Sequence, residues 1–183
     1  MLYTIVQSFS PDDGEKWTDY CQWRGIEFER FDSIDGIMRP NLMGSPDQED
    51  WPYIVHEDYM LHFMTDLRHG YRKLDQKEKG VLIGVKLKDH EPEHPDFLGY
   101  DIEDTFFGVS LLTNWGSHVT VVNESLSLNG LVLDIDTVKR VHQYLKSNYS
   151  DDDHVRDTRI ISLYKVPQTV ADEKHSDNKI LGR

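Results

Sequence analysis

Leu2 to Phe9, LYTIVQSF, is rich in β-branched and aromatic residues and predicts a first strand. Ser10 can cap the helix that follows. Pro11 suits its first position, and Asp12 and Asp13 favour the positive end of its dipole. Trp17, Tyr20 and Cys21 fall on one face of that helix, and Gly25 stops it. Ile26 to Phe31, IEFERF, alternates apolar and charged residues, the pattern of a half-buried second strand. From Asp32 to Pro52, the residues Gly36, Pro40, Gly44, Pro46 and Pro52 break regular structure and leave a loop of about 20 residues. Tyr59 or Met60, Phe63, Met64, Leu67, Tyr71 and Leu74 then recur at helical spacing, with Tyr53 to Val55 open to an extended start. Gly70 weakens this helix by about 1 kcal/mol relative to alanine.

Gly80 to Lys88, GVLIGVKLK, is the strongest strand pattern. DHEPEHPD interrupts it before two further strand candidates, FLGYDI and FFGVSLLTN. Trp115 to Leu128 reads as a linker or weak strand. LDIDTVKRVHQYLKSNY is the clearest helix, with Asp136 as its predicted N-cap and Val138, Val141 and Leu145 as its apolar stripe. SDDDHVRD predicts a turn and TRIISLYKV a last strand. The order is β-α-β, a long loop, then α-β-β-β-α-β. Three consecutive strands favour an α+β domain: a mixed, mainly antiparallel sheet of about six strands, with three helices packed largely on one face. That domain is expected to span residues 1–166, with 167–183 a polar, mobile C-terminal tail.

A chain of 183 residues fits one domain and buries about 70% of its unfolded surface without needing a staple. Cys21 is the single cysteine, which excludes an internal disulfide and a cysteine-rich metal site. The N-terminus lacks the pattern of a signal peptide, and no apolar run is long enough to span a bilayer. The expectation is a cytoplasmic protein without membrane contact. Net charge is −13, from 33 acids against 20 Lys and Arg. The balance is uneven: −10 over residues 1–66 and −3 over the rest. Such a surface repels a nucleic acid backbone and attracts a basic protein partner. Asp12, Asp13, Asp47, Glu49 and Asp50 are the expected partner-binding acids.

Candidate chemistry is sparse. His90 to His94 spells HEPEH, which fits the H-E-x-x-H zinc protease string. Pro92 at its centre and Pro95 after it deny the helix that this chemistry requires, so an exposed loop is expected instead. His56, Glu57, Asp58 and His62 offer metal-ligating groups, but His56 and His62 stand six apart, off one helical face. There is no G-x-S-x-G, no P-loop and no dinucleotide fingerprint, and no cofactor is expected. One stretch concentrates polar and aromatic groups at strand ends, where sites are often built. It supplies Asp101, Glu103, Asp104, Asn114, Trp115 and His118 as a candidate ligand site. The structural reading of the same stretch has Phe106, Phe107, Val109, Leu111 and Leu112 in the core, Gly99 and Gly108 at bends, and Asn114 and Gly116 in a turn.

FLGYDIEDTFFGVSLLTNWG, LNGLVLDIDTVKRVHQYLKSNY, RIISLYKV and, upstream, HEDYMLHFMTDL together resemble a group of small, acidic, uncharacterised bacterial proteins of immunity-protein type. The resemblance implies a cytoplasmic binding protein and carries no catalytic residues. The leading expectation is a non-enzymatic, immunity- or inhibitor-like protein that neutralises or regulates a basic protein partner. The alternative is a small hydrolase using Asp101, Glu103, Asp104 and His118, with or without a divalent metal.

Overall fold

The computed structural model describes residues 1–7, 10–29, 54–56, 62–75, 80–87, 95–105 and 109–169. The chain forms the expected α+β domain. Six strands of three or more residues, β1 (Leu2–Gln7), β2 (Ile54–His56), β3 (His62–Met64), β4 (Gly80–Lys86), β5 (Phe97–Asp104) and β7 (Thr158–Lys165), build the sheet. The two-residue β6 (Val109–Ser110) extends one edge. Their order across the sheet is β2-β3-β1-β4-β7-β5-β6, and every pairing is antiparallel. Among the described residues the three longer helices are α1 (Glu15–Arg24), α2 (Leu67–Leu74) and α5 (Ile135–Asn148). Single turns form α3 (Leu111–Asn114), α4 (Thr120–Asn123) and α6 (Asp153–Arg156).

Register assigns the two faces. Ile5 pairs with Leu82, Gly84 with Tyr164, Tyr100 with Ser162 and Ile102 with Ile160. Directly opposed residues share a face, and a strand alternates faces at each step. These residues therefore line one side. There Val138, Val141 and Leu145 of α5 pack on Tyr100, Ile102 and Ile160, while Tyr71 of α2 packs on Ile5, Met64 and Leu82. The other face carries Val6, Ile83, Val85, Ile161 and Leu163. α1 stands apart with its own cluster of Trp17, Tyr20 and Phe28.

Capping follows the sequence closely in most places. Ser10 and Pro11 open a 3-10 turn rather than α1 itself, and the Ser10 N–H donates to the Asp13 carboxylate at 3.0 Å. Gly14 then starts α1, and Gly25 ends it at φ 69°. α5 is capped by Asp134 and not by Asp136: the Thr137 N–H donates to Asp134 Oδ1 at 2.7 Å. That bond also holds the Asp134 carboxyl below its usual range.

Three expected elements are different in the structure. Ile26–Glu29 forms no strand, although Phe28 is buried and Glu27 and Glu29 are exposed as alternation demands. Its Glu29 N–H donates to the Leu128 carbonyl at 2.8 Å, and its apolar side packs on α1 rather than joining the sheet. Within the expected helix over residues 59–74, His62–Met64 is strand β3, paired antiparallel with β2, and the shorter α2 follows, which Asp66 caps through the Arg68 N–H. Gly70 sits in α2 for a steric reason. A Cβ there would lie 3.0 Å from both methyls of Leu82, so its absence lets the helix close onto β4. Finally, FFGVSLLTN turns helical at Leu111, because Ser110 caps α3 through the Thr113 N–H. The weak-strand region after it holds a 3-10 turn (Gly116–His118) and α4. Phe106, Phe107 and Gly108 lie outside the described residues, as do the Asp32–Pro52 loop and His90–His94.

Past β7, Gln168 completes the ladder with its side chain. Its Oε1 accepts from the Leu82 N–H and its Nε2 donates to the Leu82 carbonyl, both at 2.9 Å. Among the described residues no helix is long and apolar enough to cross a membrane.

Candidate functional site

β5 delivers the three candidate acids, and the pleat divides them. Asp101 and Glu103 are opposite Ile161 and Arg159 on one face, whereas Asp104 lies a single step further, on the α5 side. All three are fully buried. Asp101 Oδ1 accepts from the Ser110 hydroxyl at 2.6 Å and from the Ile102 N–H at 2.8 Å. Ser110 thus ties β5 to the start of α3. Glu103 Oε2 accepts from Arg159 Nε at 2.6 Å, and the Arg159 guanidinium lies 5.6 Å from the Phe63 ring centre. Buried carboxylates require such partners, since an isolated charge would be too costly to desolvate.

Asp104 takes part in a different network. Its Oδ2 lies 2.7 Å from His154 Nδ1. His154 belongs to α6, which Asp152 caps through the His154 N–H at 2.9 Å. The other Asp152 oxygen accepts from Trp115 Nε1 at 3.1 Å. Asp104 and Trp115 are therefore joined, but through α6, a segment whose sequence predicts only a turn. Trp115 also packs edge-on against His118 and Tyr149, with ring centres 4.8 and 5.1 Å away. His118 stands exposed at the rim of this aromatic group, and Asn114 is half-buried at the end of α3.

A carboxylate holding an imidazole is half of a general-base arrangement. The hydroxyl across the ladder from Asp104 is Thr158, and it is engaged elsewhere: Thr158 Oγ1 donates to the Val155 carbonyl and lies 2.9 Å from His142 Nε2. The six candidate residues thus separate into an interior pair, a structural relay through α6 and an exposed aromatic rim. Among the described residues no three His, Cys, Asp or Glu side chains converge as a cation site. His56 and His62 are cross-strand partners in the β2–β3 hairpin, while Glu57 and Asp58 lie outside the described residues.

The expected partner-binding acids fare differently. Asp12 is exposed and Asp13 is held by Ser10; Asp47, Glu49 and Asp50 lie outside the described residues. Around α1, Asp12, Glu15, Asp19, Glu27 and Glu29 all face solvent. Of the two basic residues in that segment, Lys16 is exposed and Arg24 is only 3% exposed. Arg24 Nη2 donates to Asn123 Oδ1 at 2.8 Å, and burial pulls its guanidinium below its ordinary pKa. Glu27 lies in IEFERF, whose alternating pattern predicts a strand and not a return leg packed on α1.

Beside Arg24, the buried Tyr20 hydroxyl donates to the Thr113 carbonyl at 2.8 Å. Burial raises its pKa far above the ordinary value near 10, with Arg24 acting in the opposite sense. Above about pH 10 the unfolded chain ionises this phenol while the folded chain keeps it protonated. Stability must then fall as pH rises, by up to about 1.4 kcal/mol per pH unit from this residue. Tyr20→Phe is expected to cost about 1 kcal/mol at pH 7 and to lack that slope. Urea unfolding from pH 8 to pH 11 checks it: the gap between the two proteins narrows above pH 10. A constant gap would contradict the assignment. No family profile, characterised protein or solved structure matches this chain.

Proposed function

We propose that this chain is a non-enzymatic, cytoplasmic binding protein that neutralises or regulates a basic protein partner, in the manner of immunity or inhibitor proteins. One observation carries the reading: an ordered helix and its flanks, residues 11–29, present five exposed acids and one exposed base. Oriented charge of one sign on a fixed element steers an oppositely charged partner and raises its rate of association. The hydrolase alternative finds less support. Asp101 and Glu103 are interior, and the imidazole beside Asp104 belongs to His154 rather than to His118.

The test uses the full chain immobilised and exposed to lysate of its native host, with captured proteins identified and then purified. The expected result is one basic protein whose binding weakens at least roughly 10-fold between 0.05 and 0.5 M salt, as screening shortens the Debye length. Neutralising Asp12, Glu15 and Asp19 together (to Asn, Gln and Asn) should slow its association by a similar factor. Failure to capture a basic protein, or binding indifferent to salt, would sink the proposal.

A further inference from the structure

At Gly25 the chain doubles back, and Ile26–Phe28 runs beside the helix it has just left. Between helix and return lies an open cleft of about 600 Å³. Trp17, Cys21, Ile26 and Phe28 line it, together with Glu27. Trp17 and Phe28 are only 6% and 4% exposed, so their rings form the floor. Glu27 is exposed and brings a carboxylate to the opening. The volume falls within the range of small-ligand pockets, which combine apolar walls with a few placed polar groups.

The charge around the cleft selects its occupant. Arg24 is turned away to Asn123, so it does not neutralise this side of α1. The exposed acids of the segment leave a negative field over an aromatic floor. Anions are disfavoured there. A cation on an aliphatic stem is favoured on two counts: its stem by the apolar lining of Ile26 and Trp17, and its head by Glu27. We propose that this cleft is an anchor pocket for an arginine or lysine side chain of the basic protein partner. The proposal rests on the preceding functional reading and names the surface that the partner uses.

Cys21 makes the cleft testable, because it is the single cysteine of the chain and is half-buried in the cleft wall. The full chain is treated with two methanethiosulfonate reagents, one bearing an ammonium group and one a sulfonate. Each rate is normalised to that with free 2-mercaptoethanol, in 0.5 M salt to suppress the field of the whole molecule. The cationic reagent is expected to react about 10-fold faster. Glu27→Gln should reduce that ratio at least roughly threefold, whereas Asp75→Asn, on another element, should leave it unchanged. Octa-arginine should slow labelling by the neutral N-ethylmaleimide, and octa-glutamate should not. A ratio near one, or a ratio indifferent to Glu27→Gln, overturns the proposal.

The outcomes separate the two readings. Capture of a basic protein whose binding survives Glu27→Gln and leaves Cys21 labelling unchanged removes the cleft and keeps the function. Cation preference at Cys21 without any captured basic protein keeps the cleft as a cation site and removes the function.

Discussion

Arg159→Met is expected to destabilise the protein by about 3–5 kcal/mol, the cost of leaving a buried carboxylate without its cation. Glu103 is wholly buried, and Arg159 Nε approaches its Oε2 at 2.6 Å. Methionine keeps an unbranched apolar side chain at this position, so the loss chiefly reports the charge. The Arg159 side chain retains 23% exposure, which lets some water reach the Glu103 carboxylate and places the effect in the lower half of that range. The double variant Glu103→Gln/Arg159→Met should recover most of the loss, because neither half of the pair then needs an ionic partner. Urea unfolding at pH 7, followed by tryptophan fluorescence, measures both. A loss below about 1 kcal/mol for the single variant would mean that the pair behaves as a surface ion pair.

The second large effect is expected at Gly99. The sheet register shifts between Phe97 and Gly99, and Gly99 has φ 155°. A Cβ built there would lie 2.6 Å from Leu131 Cβ and 3.2 Å from the Val132 carbonyl oxygen. Leu131 is fully buried, so it has little room to retreat. Overpacking of this kind costs about 1–3 kcal/mol, and a backbone angle poorly suited to alanine adds about 1 kcal/mol more. Gly99→Ala should also loosen the bridge between β5 and the incoming chain, where the Tyr100 N–H donates to the Val132 carbonyl at 2.7 Å. Amide exchange would show this as faster exchange at Tyr100 and Val132. Unchanged stability together with unchanged exchange at these two amides would refute the steric account.

Much of the fold was legible in the sequence. β1, β4, β7 and α5 combine a period with compatible residues, and local preference agrees with the final position. The helix expected over residues 59–74 failed for a specific reason. Met64 leaves a strand and Leu67, Tyr71 and Leu74 lie on a helix, yet all four belong to one cluster beneath β1 and β4. A strand-to-helix corner that keeps one side buried reproduces helical spacing across the junction. Ile26–Glu29 failed differently: burial alternated as expected, but a strand also needs a neighbouring ladder, and pattern cannot reveal one.

The candidate site was legible as a stretch and not as an arrangement. Asp101, Glu103 and Asp104 look like one acidic patch until the pleat sends Asp104 to the opposite face. The partners of Glu103 and Asp104 lie 56 and 50 residues away in the chain, beyond any local motif. His154 sits in SDDDHVRD, whose pattern predicts only a turn, and the serine that holds Asp101 also caps a helix where the pattern predicts a strand.

The strand order has a bearing on how the molecule comes into being. Among the described residues β7 is the last strand in sequence, yet it occupies the middle of the sheet between β4 and β5. During synthesis, everything before Thr158 emerges with those two strands showing open edges to one another. Such edges are templates for pairing with other chains. The nascent polypeptide has to keep two unfinished half-sheets apart until Lys165 has left the ribosome, and a single strand then welds them into one body.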